Sequence, residues 1–568
     1  MAWLRSLGRW RHALMQAINR PRSAQATVVI LCAWLTVAAH WPLWRALQRL
    51  DGYDGPALAL FIVFVPLVFA VLVLLFALTA WPRGMKPLWL LLLALAAVGQ
   101  YFALHYGTVI DKGMVLNVLQ TDLRESRDLF NPRLLVQVCL VAGVPALWLW
   151  RLPVIRYGIW QNIARTLVLI LAALTCIAAV ALPNFRQLAP VVRSNMTLRY
   201  MINPLNSVAA VYSATLKPML QRPRPFVSIT AAAALGETYS AGHAQKPPLM
   251  VIVVGETSRG DHYGINGYPR DTTPELARLA VLSWRNATAC GTSTRESLPC
   301  MFSHLDKAGF EERTAEYDNL LDVLQAAGLA VLWVDNQAGC KDVCRRVPTV
   351  FTSDMVDTPA GQQLCAQGEC LDAMLLEGLD ARLAALPESR RRNGIVIVLH
   401  QMGSHGPAYF KRSAAPFKPF LPECASNALA SCSQEQLINV YDNSIRYTDH
   451  VLARTIEWLT QHASAYQVGM LFVSDHGESL GEGGLYLHGL PYAVAPAAQK
   501  SIAMIAWPGT LAARTQVHLP CVQGTLDTAV SHDNFYHTVL GLLDVRSPTY
   551  LSALDVLHTC RSTARSAT

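Results

Sequence analysis

The first 185 residues alternate between uncharged apolar stretches and charged breaks. Five stretches lack charge over roughly membrane-spanning length: Thr27–Trp44, Ala57–Ala80, Pro87–Leu104, Leu134–Trp150 and Thr166–Phe185. A helix needs about 20 apolar residues to cross the hydrocarbon of a bilayer, so the pattern predicts five spans. The first is the least regular, because His40 and Pro42 interrupt it. No small-residue cleavage pattern follows it soon, so it reads as an uncleaved span and not as a signal peptide. The connections carry the orientation. Arg5, Arg9, Arg11, Arg20 and Arg22 precede the first span, Arg83 and Lys86 lie between spans two and three, and Arg151 and Arg156 lie between four and five. Basic connections stay in the cytoplasm, so an odd number of spans leaves everything after Phe185 outside it, in the periplasm of a Gram-negative cell.

Residues 186–247 read as a connector on the periplasmic side or at the membrane surface. Leu205–Leu216 suits an amphipathic helix opened by Asn203-Pro204, and the turn QRPRPF follows. From Pro248 the period changes. Short β-branched runs appear at 249–254, 329–334, 395–399, 469–473 and 502–507, with helical segments such as Asp318–Ala327 and Ser433–His462 between them. Continuous apolar runs of this length suit strands buried on both faces of a mainly parallel sheet covered by helices. The expected organisation is a transmembrane domain over 1–185, the connector, and an α/β domain over 248–568.

Composition agrees. The chain of 568 residues is 52% apolar and 15% charged, against about 25% charge in an ordinary soluble domain. The net charge is +8, and the five arginines before the first span supply five of it. The excess is therefore a cytoplasmic anchor and not a nucleic-acid face. Three cysteines, Cys32, Cys139 and Cys176, fall in the spans. The other ten follow Phe185, as Cys290/Cys300, Cys340/Cys344, Cys365/Cys370, Cys424/Cys432 and the distant Cys521 and Cys560. Such clustering without CxxC spacing suits disulfides, which require an oxidising compartment.

The ends of the apolar runs carry the chemistry. Run 249–254 leads into Gly255-Glu256-Thr257, run 329–334 into Asp335-Asn336, run 395–399 into His400 with His405 close behind, and run 469–473 into Ser474-Asp475-His476. In open α/β sheets, sites form beyond the carboxyl ends of the strands, so these groups are expected to converge. Glu256, Asp475 and His476 form a mixed oxygen and nitrogen set of the kind that binds zinc with an open position. His405 and His488 are candidates for a second metal or for a phosphoryl group. The loop ACGTSTRESLPCMFS offers Thr292, Ser293 and Thr294 as nucleophiles at the start of a helix, and the residues alone do not choose among them. Lys341, between Cys340 and Cys344, can neutralise phosphoryl charge.

The motifs VIVVGETSRGDHYGINGY, CGTSTRESLPCMFS, HQMGSHGPAYFKR and SDHGESLGEGGLYLHG, in this order, resemble the phosphoethanolamine transferases of the alkaline-phosphatase/sulfatase superfamily, and most closely those that modify lipid A. The resemblance spans nearly the whole chain. It implies that Thr294 is the nucleophile and that Glu256, Thr294, Asp475 and His476 hold one tightly bound zinc ion, leaving a second open at His405 and His488. It places Lys341 and His400 near the phosphoethanolamine; as histidines near the metal, His400 or His405 are also candidates to protonate the leaving group. It also implies that Asn117, Thr121 and Glu125, four apart and so on one helical face, help bind the ethanolamine headgroup. Relatives often carry Asn-Ser where this chain has Gln337-Ala338.

The activity implied is transfer of phosphoethanolamine from phosphatidylethanolamine in the bilayer to a phosphate of lipid A, through a covalent phosphothreonine. The added amine lowers negative surface charge and so gives polymyxin resistance. The expected place is the bacterial inner membrane, with the catalytic domain in the periplasm and no nucleic acid involved. Kdo or heptose of the lipopolysaccharide core, or another periplasmic glycan, are the alternative acceptors, and a periplasmic phosphatase is the alternative reaction. A sulfatase is disfavoured, since Ser297-Leu298-Pro299-Cys300-Met301 lacks the arginine that aldehyde-forming motifs carry.

Overall fold

The computed structural model describes residues 20–48, 57–120, 132–185, 191–192, 197–220, 223–240, 246–366 and 369–561. They fall into two units: Met1–Val115 with Phe130–Met219, and Leu116–Leu129 with Leu220–Thr568.

The first unit is helical: α1 (Ala24–Ala38), α2 (Trp41–Gln48), α3 (Ala57–Ala77), α4 (Met85–His105), α5 (Pro132–Arg151) and α6 (Ile159–Ala181). Four of them, Leu60–Ala77 within α3, α4, α5 and α6, are each long and apolar enough to cross a membrane. A fifth crossing requires α1 and α2 together, and that pair is bent by 48°. The break falls at the residues that made this stretch irregular in sequence. The His40 ring nitrogen Nδ1 donates to Leu35 O (2.9 Å), which occupies a carbonyl at the end of α1. Pro42, with no N–H to give, sits in the first turn of α2, where a missing donor costs nothing.

The last helix begins at Ile159, earlier than the uncharged stretch. Its polar Asn162 and Thr166 turn inward. Gln25 Nε2 donates to Asn162 Oδ1 (3.0 Å) and to Thr166 Oγ1 (2.9 Å), and Asn162 Nδ2 donates to Ala80 O (3.3 Å). Polar groups at membrane depth must find partners inside the protein, and Asn162, Thr166 and the Gln25 amide nitrogen do, while Gln25 Oε1 is left unpaired. The opposite face of α6 exposes Trp160, Leu167, Val168 and Leu171, as a lipid-facing surface requires. After Asn203-Pro204 the helical turns Leu205–Val211, Tyr212–Leu216 and Lys217–Leu220 run on, four residues beyond the expected end. They bury the small Ser207, Ala210 and Ala214 and expose Tyr212, Leu216 and Met219.

The second unit is built on one eight-stranded sheet. Its strands are β1 (Pro248–Gly255), β2 (Leu282–Thr288), β3 (Ala330–Asp335), β4 (Thr349–Phe351), β5 (Ile395–His400), β6 (Gln467–Ser474), β7 (Ser501–Trp507) and β8 (Ala529–Ser531), in the order β8-β2-β7-β6-β1-β5-β3-β4. Every neighbouring pair is parallel except the two that involve β7. All five apolar runs are strands of this sheet. β1, β3 and β5 are buried along their whole length, which is why they read as continuous hydrophobic runs. One face packs Met250, Ile252, Trp284, Trp333, Val398 and Val473 against Phe302, Leu321, Phe535 and Val539.

Four helices of this unit matter below: α7 (Thr294–Met301), α8 (Leu320–Ala326), α9 (Gln434–Gln461) and α10 (Asp533–Leu542). The two expected helices, α8 and α9, both begin with reciprocal caps. Asn319 exchanges hydrogen bonds with the turn at Asp322, and Ser433 with the turn at Gln436. All ten cysteines after Phe185 are bridged: Cys290–Cys300, Cys340–Cys344, Cys365–Cys370, Cys424–Cys432 and Cys521–Cys560.

Candidate active site

The carboxyl edge of the parallel strands gathers the charged groups. Glu256 follows β1, and the chain then turns sharply: Thr257 adopts φ +51°. This is the left-handed region, unfavourable for a β-branched residue, and it is held by two bonds. Thr257 N–H donates to Asp475 Oδ1 (3.2 Å), and Thr257 O accepts from Tyr441 Oη (2.6 Å). Asp475 and His476 follow β6. Asp475 Oδ1 takes a second N–H from His476 (2.8 Å).

The loop that carries the candidate hydroxyls arrives from β2. Of its three hydroxyls, Thr292 donates to Leu490 O (2.6 Å), and Ser293, the extended residue before α7, is buried without a partner. Thr294 opens α7. Its Oγ1 donates to Glu256 Oε2 (2.9 Å) and lies 3.5 Å from His476 Nε2. Of the three hydroxyls, Thr294 is the one that reaches the carboxylate and imidazole cluster. Gly291 N–H donates to Ser297 Oγ (2.9 Å), and the Cys290–Cys300 bridge fastens the loop to α7.

Glu256, Asp475 and His476 are fully buried. His476 Nδ1 donates to Gly477 O (2.9 Å), which turns Nε2 toward the carboxylates, 3.2 Å from Glu256 Oε1 and 3.3 Å from Asp475 Oδ2. Neither of those two oxygens has a hydrogen-bond partner. Buried carboxylate oxygens rarely go unpaired, and here both face one point. Electrostatics agrees. Burial alone would lower His476, but the charges of Asp475 and Glu256 push it up to about 10. Burial and the charge of Glu256 push Asp475 up to about 7. Burial also works to raise Glu256, yet the close approach of the His476 ring and the charges of His476, His405 and His488 hold it below the usual carboxylate range. The cluster favours a positive charge at its centre. The donor set therefore fits a divalent metal, with one oxygen from each carboxylate and an imidazole nitrogen within 4.8 Å of one another.

Glu256, His405 and His488 form a second group of the same kind. The rings of His476 and His488 lie 4.2 Å apart, and those of His405 and His488 5.4 Å. His488 Nδ1 pairs with Glu478 Oε2 (2.7 Å), and Tyr409 donates to the other oxygen of Glu478. Burial pushes His488 down to about 3, so it keeps a lone pair for a ligand. His400 ends β5, fully buried, with Nδ1 3.0 Å from Asp335 Oδ2 and no partner at Nε2. Lys341 sits outside this cluster, at φ +48°, with its ammonium donating to Ala338 O (3.3 Å). Asn117 lies on the helix Lys112–Gln120, while Thr121 and Glu125 are outside the described residues.

The structure adds groups that sequence reading left unassigned. Gln337 Nε2 donates to Glu256 Oε2 (2.7 Å). Asp335 accepts from Trp333 Nε1 (2.7 Å), Gln337 N (2.9 Å) and Gly339 N (3.3 Å) besides facing His400. Its position at a strand end was the available signal. Glu478 was visible only as the close of SDHGE.

A buried carboxylate, carboxylate and imidazole facing a hydroxyl at a helix start, at the carboxyl edge of such a sheet, define a domain of the alkaline-phosphatase/sulfatase class. A family model described as Sulfatase matches residues 248–545, and one described as Phosphoethanolamine transferase EptA/EptB matches residues 68–218. Phosphoethanolamine transferase EptA of Escherichia coli K12 is 35% identical over 94% of this chain and 97% of its own length. Phosphatidylethanolamine transferase Mcr-1 of Escherichia coli is 38% identical over 84% of this chain and 86% of its own. The integral membrane lipooligosaccharide phosphoethanolamine transferase A of Neisseria meningitidis superposes with a TM-score of 0.89 at 31% identity, covering 95% of this chain and all of that one. The chain belongs to the phosphoethanolamine transferase family. It is an enzyme of that type and a multi-pass membrane protein.

Proposed function

We propose that this protein transfers phosphoethanolamine from phosphatidylethanolamine to a phosphate of lipid A, through a covalent intermediate on Thr294, on the periplasmic side of the inner membrane. The observation that carries the reading is the hydroxyl of Thr294, 2.9 Å from Glu256 Oε2 and beside two carboxylates that each keep one oxygen unpaired. The named activities of the relatives and the basic connections between the spans support the acceptor and the placement.

Glu256, Thr294, Asp475 and His476 would hold zinc. When bound, zinc supplies Lewis-acid stabilisation of phosphoryl charge and makes an alcohol nucleophilic at neutral pH. The chain's own residues do the rest. Glu256 Oε2 accepts the Thr294 hydroxyl and fixes the direction of its lone pairs. Thr294 Oγ1 attacks phosphorus, its proton passing to Glu256 Oε2, and the bond to the diacylglycerol oxygen breaks. His400, steadied by Asp335, presents Nε2 to give that oxygen its proton. A lipid A phosphate monoanion then attacks the phosphothreonine, passing its proton to His400, and Thr294 takes its own proton back from Glu256 Oε2. Two displacements through one covalent intermediate suit two lipid substrates that enter in turn. His405 and His488 face the phosphoryl group or a second metal. Lys341, Asn117, Thr121 and Glu125 are assigned to the donor headgroup.

Removing the nucleophile tests the reading. Thr294→Ala should fold and insert normally, yet leave lipid A unmodified and its cells polymyxin-sensitive, by mass spectrometry of extracted lipid A. Modified lipid A in cells of that variant would overturn the assignment. Phosphoethanolamine on Kdo or heptose in wild-type cells would move the acceptor, and free ethanolamine phosphate as the product would make the protein a phosphatase.

A further inference from the structure

β2 delivers the nucleophile loop and β6 delivers Asp475 and His476, yet the two are not neighbours. β7 lies between them, antiparallel to both. Adjacent strands are about 4.8 Å apart, so β2 and β6 stand about 10 Å apart, beyond the reach of one hydrogen bond. The disulfide, the Gly291 bond and the Thr292 bond tie the loop to α7 and to Leu490, not to β6.

We propose that His532 is the positioning residue that sets the nucleophile loop against the metal-binding end of β6. The inference rests on the reading of Thr294 as nucleophile. His532 stands between β8 and α10, outside every motif singled out in the sequence, and is 2% exposed. Its backbone N–H donates to Thr288 O (3.2 Å), the last residue of β2. Its ring then spans the gap. Nδ1 accepts the N–H of Cys290 (3.1 Å), four residues before Thr294. Nε2 donates to Ser474 O (2.9 Å), the residue before Asp475. A backbone N–H on one side and a carbonyl on the other admit a single neutral tautomer, with the proton on Nε2. Burial, which pushes this ring down to about 4, keeps it neutral at working pH. The imidazole thus acts as a spacer of fixed length and polarity. Catalytic groups must hold their geometry to about 0.5 Å, and misplacement of the nucleophile by about 1 Å can cost about 100-fold.

Three variants of the full-length protein in detergent test this. His532→Ala loses both bonds. His532→Asn keeps an acceptor near the Nδ1 position, and His532→Gln keeps a donor near the Nε2 position. The expected result is a kcat lower by 10- to 100-fold in His532→Ala, with KM and zinc content within about twofold of wild type. Intermediate losses are expected in the other two. Unchanged kcat in a folded His532→Ala overturns the inference. So does a loss of activity that only tracks a fall in Tm and zinc content, which marks a merely structural residue. Should His532→Ala not fold, the Asn and Gln variants decide: reduced kcat at wild-type Tm supports positioning, and full activity in both overturns it. Thr294→Ala assayed alongside separates the two failures. If it is active, the nucleophile reading falls; if it is inactive while His532→Ala is fully active, only the present inference falls.

Discussion

Gln337 shows what one side chain adds to a candidate metal cluster. Its Nε2 shares Glu256 Oε2 with Thr294, and its own Oε1 accepts the N–H of Ala338 (3.0 Å), which keeps the amide from rotating. Oε2 is thereby saturated and Oε1 is left for the cation. Groups that orient a ligand in this way typically contribute 10- to 100-fold to metal affinity. Gln337→Ala should therefore weaken zinc binding by about that factor, measured by competition with a chromophoric chelator, while the fold persists. An unchanged affinity would make the contact incidental. The resemblance to relatives flagged Gln337-Ala338 as a departure, but not what the longer amide reaches. Glu256, Asp475 and His476 were legible because strand ends announce themselves locally. Gln337 and His532 were not, because their partners lie 81, 58 and 242 positions away.

At the scale of elements, the readable strands were those buried on both faces. β2 went unread because Arg285 and Asn286 are exposed and break its apolar run, although this strand leads into the loop that carries Thr294. β4 and β8, three residues each, are too short to show a period. The direction of β7 was equally hidden, since an antiparallel strand in a buried sheet looks like its parallel neighbours. Helix starts fared better, because caps are written in adjacent residues. Ser433 accepts the N–H of Gln436 (3.2 Å), and Gln436 returns a bond to Ser433 N (2.9 Å), at the head of the 28-residue α9. Ser433→Ala should cost about 1 kcal/mol. Denaturant midpoints of the two proteins would show it, and no difference would mean that the first turn frays without penalty.

For the molecule as a whole, acid is the dangerous direction for the two buried histidines His537 and His532. Burial, helped by the nearby charge of His304, pushes His537 down to about 4, and its Nδ1 accepts the N–H of Leu551 (3.0 Å). The folded protein keeps this ring neutral, while the unfolded chain takes up a proton below about pH 6.5. Stability is then complete above pH 6.5 and is lost as pH falls toward 4. His532 contributes with the same sign. His537→Asn preserves an acceptor without a titrating ring. Its Tm should decline less steeply than that of wild type between pH 6.5 and 4 by differential scanning fluorimetry. Parallel slopes would remove His537 as a cause.

The five bridges share one property of connectivity: each joins a cysteine to the next one along the chain, at separations of 10, 4, 5, 8 and 39 positions. A polypeptide threaded outward from its N-terminal end presents these thiols in pairing order. An oxidase that links each newly emerged thiol to the one just before it reaches the native set by first-come chemistry. Such a chain has no built-in need for an isomerase to undo crossed linkages during export.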